Sequence, residues 1–164
     1  MSESAIPVKG VVLASQSIGG DEEDTSLLKV MLSDAEKYLR SFTWCKDIRE
    51  IYFGDGYGGV VAVFLFHIQP ARADVDEWLW VIVCDVSLAY LVTDSCKTPS
   101  QALEAYIEEI SKWTELAKLG SSSKDVMPVS LAATPENGTN VEKKMDVLRR
   151  VIVPAFREAE AVRA

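Results

Sequence analysis

Three glycines near residue 55 have a spacing that some proteins use to hold nucleotide phosphates. Gly54, Gly56 and Gly59, with Val61 after them, fit the pattern G-x-G-x-x-G-x-V within YFGDGYGGVVAVFLF. In a dinucleotide site these glycines join a strand to a helix, whose N-terminus stabilises the pyrophosphate. Here the residues that follow are apolar and rich in β-branched types, as in a strand. This context favours a hairpin turn over a nucleotide loop.

The glycine loop of a protein kinase does lie between two strands, so it needs a separate comparison. A kinase also requires a lysine on the next strand, a His-Arg-Asp loop and an Asp-Phe-Gly metal site. The next strand has no lysine, neither tripeptide occurs, and the chain is too short for two kinase lobes. We therefore predict a hairpin tip in which all four glycines supply positive φ angles, namely Gly54, Gly56, Gly58 and Gly59.

Other residue types that carry chemistry are few. His67 is the only histidine, and the three cysteines have no C-x-x-C spacing. No H-E-x-x-H pattern or nucleophile elbow is present, so we predict no catalytic residues, no metal ligands and no cofactor. Asp85 and Asp94 bracket VSLAYLVT, and a hairpin there would bring both to one end of a sheet. An alternative function is therefore a small enzyme or ligand-binding protein with a pocket built from these two aspartates and His67.

Acidic side chains are the residues that we expect to bind a partner. Glu104 and Glu108 lie four apart on one helix, where their repulsion amounts to roughly a few tenths of a kcal/mol. A basic partner docked on this stripe would relieve the repulsion. The segment ADVDEW reads as an acidic turn, since it lacks the spacing of a calcium loop. The predicted partner-binding residues are Asp55, Tyr57, Asp74, Asp76, Glu77, Glu104, Glu108 and Glu109.

The strands and helices that must position these residues are predicted to form one α+β domain over residues 24–164. A weakly structured lead over residues 1–23 is predicted to precede it. Within the lead, VVLA suggests an added edge strand. Four later segments have strand character and short links, which predicts a four-stranded antiparallel meander: IREIYF, VVAVFLFHI, WLWVIVC and AYLVT. Two of these segments are apolar on both faces, as in the centre of a sheet covered on both sides.

Three helices are predicted to flank this sheet. The first is capped by Asp24 or Thr25 and has an apolar face at helical spacing. The second begins at Thr98-Pro99 and is stopped by Gly120. The last begins at Thr134-Pro135 or at Asn140 and ends at Pro154.

The overall charge excludes some classes of partner. The formal net charge is -8, and 48% of the residues are hydrophobic. Residues 141–164 hold six basic against four acidic residues, so this end carries +2 and residues 1–140 carry -10. An acidic body repels nucleic acid and anionic membranes and suits a basic protein partner. The sparse cysteines, the lack of a signal peptide and the short apolar runs predict a cytoplasmic protein.

Two resemblances bear on function. The stretch from YFGDGYGGVVAVFLF through DEWLWVIVCDVSLAYLVTD to ALEAYIEEISKW resembles a family of uncharacterised bacterial proteins, which implies a bacterial origin and no assigned chemistry. In size, acidity and α+β composition, the chain is similar to immunity proteins that neutralise bacterial toxins. This second resemblance implies a protein-binding module that occludes a basic toxin with acidic side chains around an aromatic anchor.

A further alternative is a structural homodimer. Trp78 and Trp80 point to the same strand face as Ile82 and Cys84. Tryptophan is over-represented at binding hot spots, so this face of the sheet is a candidate dimer interface.

Overall fold

Five antiparallel strands, adjacent in the order of the sequence, form the sheet. The computed structural model describes residues 5–16 and 18–163 of the 164-residue chain. The strands are β1 (Val12–Leu13), β2 (Cys45–Tyr57), β3 (Val61–Pro70), β4 (Trp78–Cys84) and β5 (Ala89–Val92). The helices are α1 (Glu22–Arg40), α2 (Pro99–Lys118), α3 (Pro135–Val147) and α4 (Val153–Arg163), and a π-helical segment (Leu148–Ile152) joins the last two.

The predicted α+β fold with an antiparallel sheet is confirmed, but the sheet has five strands rather than four. The additional strand is β1, which confirms the edge strand suggested in VVLA and places Val12 opposite Phe53 of β2. Two residues are too few to show a strand period in the sequence. Only the pairing with β2 establishes β1 as part of the sheet.

Both faces of the sheet are buried, as strands that are apolar on both faces predict. On one face, Val63, Leu65 and Trp80 belong to a core shared with α2, α3 and α4. On the other face, Phe64 and Phe66 belong to a second core that includes the apolar side of α1. The sheet is therefore the middle layer of three.

The segment before α1 contributes to both cores. Val8 is buried in the core on the α2 side, and Ile18 is buried in the core on the α1 side. The backbone N–H of Lys9 donates to the carbonyl of Lys97 at 2.8 Å. These contacts attach the segment to the domain on both sides of the sheet.

Helix α1 begins earlier than predicted. Its cap is Asp21, whose carboxylate accepts a hydrogen bond from the N–H of Asp24 at 2.8 Å. The expected cap, Asp24, instead accepts from the N–H groups of Gly20 and Gly58. The predicted caps of the other two helices are confirmed, since Thr98 precedes α2 and Thr134 precedes α3 with the expected side-chain bonds.

The prediction that the last helix ends at Pro154 is wrong. It continues through Leu148–Ile152 into α4, and the N–H of Val153 donates to the carbonyl of Leu148, five residues earlier. Proline has no N–H, and in an α-helix its ring clashes with the carbonyl four residues before it. The wider π-helical turn lies just before Pro154, so the helix passes the proline by widening instead of stopping.

Candidate binding groove at the free edge of the sheet

Strand β5 ends the sheet, so one of its edges has no neighbouring strand. It pairs with β4 from Leu79↔Val92 to Ile82↔Ala89. Alternate backbone N–H and C=O groups of an edge strand point outward, where another chain can pair with them. Tyr90 and Val92 are 38% and 40% exposed. The strand reads AYLV, without the lysine or proline that often blocks such an edge.

A groove of about 590 Å³ follows this free edge, and we call it the β5 groove. Its floor is Leu88 to Val92. One wall is formed by Tyr38 and Phe42 at the end of α1, and the other by α2 and residues 125–128. Ligand clefts in proteins typically measure about 300–1,000 Å³, so the β5 groove is large enough to hold a bound segment.

Aromatic rings form the α1 wall of the groove. Phe42 stacks on Trp44 with ring centroids 4.8 Å apart, and Tyr90 contacts these two rings at 5.4 and 5.0 Å. Tyr38 packs edge-on against Phe42 at 5.1 Å. Each such pair contributes roughly 0.5–1.5 kcal/mol beyond its burial. The wall is therefore held in place by its own contacts and presents an apolar surface beside β5.

The turn between α1 and β2 places two of these rings. Ser41 ends α1, and its hydroxyl donates to the carbonyl of Tyr38 at 2.6 Å. The N–H of Cys45 then donates to the carbonyl of Phe42, and the N–H of Ala71 donates to the carbonyl of Trp44. Because the backbone on both sides of Trp44 is bonded, Phe42 and Trp44 are brought together beside β5.

Tyr38 lies beside the edge strand, with its ring centroid 6.4 Å from that of Tyr90. Burial raises the pKa of Tyr38 from 10.0 to about 12, and the nearby Tyr90 phenol raises it as well.

The register of the sheet fixes the direction of the β5 backbone groups. The N–H of Ile68 on β3 donates to the carbonyl of Glu77, so alternate residues of β4 from Glu77 onward point their backbone groups to β3. Tyr90 and Val92 are paired with two of these residues, so their own N–H groups point out of the sheet.

We expect Tyr38 to ionise at about pH 12 in the folded protein and at its ordinary value of 10.0 in the unfolded chain. Because the folded-state pKa is the higher one, this contribution to stability is complete below pH 10 and is lost as the pH rises to about 12. The absorbance of tyrosinate is followed against pH in the wild type and in Tyr38→Phe, and the difference between the two curves gives the pKa of Tyr38. A difference curve centred on the ordinary value of 10.0 would contradict the assignment.

A second hollow, of about 220 Å³, lies on the other side of Tyr90. It is lined by Trp44 and Val92 and by the loop between β3 and β4, which carries two predicted site residues, Asp74 and Asp76. Asp74 forms an ion pair with Arg72 at 3.3 Å. The acidic turn predicted in ADVDEW therefore lies beside the free edge of β5.

A third predicted residue lies in the β5 groove itself. Glu109 projects from α2 and forms an ion pair with Lys112 at 2.9 Å. Asp125, which the sequence analysis did not select, lines the same wall. The charged residues that line the two hollows are four acids and one base: Asp74, Asp76, Glu109, Asp125 and Arg72. The negative charge predicted for a partner site is therefore present along this edge.

The structure places Glu77 in a different cluster. Its carboxylate contacts the Nε2 atom of His67 at 2.6 Å and Arg49 at 3.7 Å. The His67 ring is stacked on Trp78 with ring centroids 4.0 Å apart. Glu77 and His67 are thus partners of each other within the chain.

The glutamate stripe on α2 divides between two surfaces. Glu104 pairs with Arg157 of α4, and Glu104 and Glu108 line a hollow with Arg149 and Arg157. Glu109 faces the β5 groove instead. Basic residues of the chain's own last helix therefore face most of the predicted stripe, which leaves Glu109 as its member at the groove.

Two predicted residues lie on β2, separated from β5 by β3 and β4. The carboxylate of Asp55 accepts from the N–H of Gly56 at 2.9 Å. Tyr57 is exposed and stacks on Phe156 with ring centroids 6.2 Å apart. Neither residue lines the β5 groove.

The glycine-rich segment forms the β2–β3 hairpin, as predicted. The N–H of Val60 donates to the carbonyl of Tyr57 at 2.9 Å, which closes a four-residue turn with Gly59 in its third position. The expectation that all the glycines supply positive φ angles is wrong, since only Gly59, at +81°, does so among them. Gly54, Gly56 and Gly58 are required instead by close packing, because an added Cβ at each would lie within 3.0 Å of another atom.

The contact of Gly58 also argues against a phosphate site. Its N–H donates to the carboxylate of Asp24 at 2.6 Å. A phosphate loop needs such amides free to bind an anion. Here a carboxylate already takes that position, and its negative charge would repel a phosphate.

The alternative pocket of Asp85, Asp94 and His67 does not form. Asp85 follows the end of β4, whereas Asp94 follows the end of the antiparallel β5, so the two lie at opposite ends of the sheet. Asp85 pairs with Lys144 of α3. The expectation that a hairpin brings both aspartates to one end is wrong, because they follow two strands of opposite direction.

The tryptophan face of the sheet is covered. Trp80 is fully buried under the α2 side, and its Nε1 atom donates to the carbonyl of Cys96 at 2.9 Å. Trp113 of α2 is buried in the same core. A homodimer would therefore need a surface other than this face.

The centre of the groove is not predictable from sequence motifs. Tyr38, Phe42, Tyr90 and residues 125–128 belong to no motif that indicates a binding site. The available signal was an edge strand without a lysine or proline, together with aromatic residues at the end of the preceding helix.

Comparisons with known proteins do not add an identity. No protein-family model, no curated protein and no solved structure matches the chain. Within residues 5–16 and 18–163, no three His, Cys, Asp or Glu side chains are grouped to hold a metal ion. In the same part of the chain, no helix is both long and apolar enough to cross a bilayer.

Proposed function

We propose that the protein is a protein-binding module that accepts an extended segment of a partner along the free edge of β5. The partner segment would pair with the outward backbone groups of β5 and become a sixth strand of the sheet. The observation that carries this proposal is the groove along an unpaired edge strand. Its aromatic wall would hold side chains of the added strand, which is how such sites gain specificity.

An immunity protein that occludes a basic toxin is the specific form of this function that we propose from the sequence. The net charge of -8 supports it. So does the excess of acids in the two hollows beside β5. In this form, the bound segment belongs to the toxin, and binding blocks the surface that the toxin needs for its activity.

The proposed function predicts that Val92→Lys weakens peptide binding by about tenfold or more, because a lysine on an edge strand blocks pairing. Peptides are first selected from a random phage-displayed library on the full-length protein. Their affinities for the wild type and the variant are then measured by isothermal titration calorimetry.

The matched control is Val12→Lys on β1. Val12 and Val92 are both 40% exposed, and they lie on the strands at opposite edges of the sheet. Loss of binding only in Val92→Lys supports the proposal. Equal binding to both variants, equal loss in both, or a library that yields no binder overturns it.

A further inference from the structure

We propose that the segment bound at β5 alternates apolar residues with lysine or arginine, with its apolar side chains on the α1 wall and its basic side chains on the α2 wall. This inference rests on the proposed function and specifies the chemistry of the partner. It follows from a difference between the two walls of the β5 groove.

The period of a strand distributes its side chains between the two walls. Successive side chains of a strand added beside β5 point to opposite faces of the sheet. On the α1 face they meet Tyr38, Phe42 and Tyr90, whose rings pack together. Apolar side chains are therefore favoured at alternate positions of the segment.

The other wall is acidic. On the α2 face, the added side chains meet Leu91, Glu109 and residues 125–128. Glu109 pairs with Lys112, which lies one helical turn along α2. Asp125 forms no salt bridge with the described residues of the chain. Two carboxylates on the α2 wall therefore favour basic side chains at the intervening positions.

The adjoining hollow has the same sign of charge. Asp74 and Asp76 line it, and its single base, Arg72, is paired with Asp74. Its lining residues Leu79, Tyr90 and Val92 face the α1 side of the sheet, so past Tyr90 a side chain on the α1 face would meet these two aspartates. The alternation of apolar and basic residues therefore applies beside Tyr38 and Phe42, and a basic residue is favoured on the α1 face past Tyr90.

Charge also disfavours a second copy of this chain as the occupant. A two-fold dimer through β5 would place the same surface patch on both sides of the interface. The acidic walls of the two copies would then face each other, and each copy carries a net charge of -8. Like charges across an interface disfavour association, so a foreign basic segment fits this edge better.

The test uses three short synthetic peptides with identical apolar residues at alternate positions. The intervening residues are lysine in the first peptide, serine in the second and glutamate in the third. We expect the lysine peptide to bind the full-length protein about tenfold more tightly than the serine peptide at low salt, because two ion pairs at a partly exposed rim contribute this much. The glutamate peptide should bind more weakly still, and added salt should reduce the differences.

Two variants locate the bound peptide. The double variant Glu109→Gln and Asp125→Asn should lower affinity for the lysine peptide about tenfold and leave the serine peptide unchanged. Val92→Pro removes an outward N–H without adding charge and should weaken both peptides. Proline is tolerated on an edge strand where its missing N–H faces outward. Circular dichroism of each variant checks that the fold is retained.

The outcomes separate this inference from the proposed function. If the serine peptide binds as tightly as the lysine peptide, and Val92→Pro weakens both, the proposed function stands and the basic pattern is wrong. If no peptide binds, or Val92→Pro has no effect, both are wrong. A dimer seen by light scattering that Val92→Pro dissociates would show a second copy as the occupant and would overturn the inference.

Discussion

Replacing Trp80 with alanine is expected to lower the free energy of unfolding by about 4 kcal/mol. Trp80 is fully buried at the centre of the sheet, so truncation leaves a large cavity among close-packed residues. It also removes the bond from Nε1 to the carbonyl of Cys96, which leaves a buried acceptor without that partner. Urea denaturation of the wild type and the variant measures the loss.

The effect should extend to the β5 groove, because Trp80 lies opposite Leu91 of β5 and holds the carbonyl of Cys96. Both of these partners line the groove. Trp80→Phe separates packing from hydrogen bonding, since it keeps most of the apolar volume and should cost about 2 kcal/mol. Val30→Ala, at a residue that is 59% exposed on α1, should change stability by less than about 0.5 kcal/mol. A loss below about 1 kcal/mol for Trp80→Ala would contradict this account of the core.

The elements that were predictable from sequence are those fixed by local chemistry. WLWVIVC matches β4 residue for residue, because continuous apolar β-branched and aromatic residues specify a strand buried on both faces. The start of α2 follows from Thr98 and Pro99, and Gly120, with a φ of +71°, follows its end. Each of these signals lies within a few residues of the boundary that it sets.

The groove could not be predicted in the same way, because it is assembled from four separate parts of the chain. Tyr38 and Phe42, β5, Glu109 and residues 125–128 meet only after the sheet and helices have packed. The charge pattern of the groove could not be predicted from the sequence for the same reason. The sequence shows that Glu104 and Glu109 share a helix, but only the fold places Arg157 beside the first and the free edge beside the second.

The glycine turn provides the second large effect. Gly58→Ala is expected to lower the free energy of unfolding by about 2 to 3 kcal/mol, since overpacking a close contact costs this much. An added Cβ would lie 2.6 Å from the Cβ of Leu27 and 2.8 Å from the carbonyl oxygen of Asp24. One of these atoms belongs to the α1 backbone, so the helix and the hairpin would have to separate. Thermal and urea denaturation measure the change.

Gly59 is the control, because it lies next to Gly58 but requires glycine for a different reason. Its φ is +81°, and an added Cβ would meet only the end of the Leu27 side chain at 3.7 Å. Asparagine tolerates this backbone conformation better than most residues, so Gly59→Asn should lower the free energy of unfolding by less than about 1 kcal/mol. Gly58→Asn should lower it at least as much as Gly58→Ala does, because its larger side chain meets the same close contacts. If the two positions responded alike, the contact between the hairpin and α1 would not be what selects Gly58. The expected difference would show that this glycine pattern is set by one turn and by close packing.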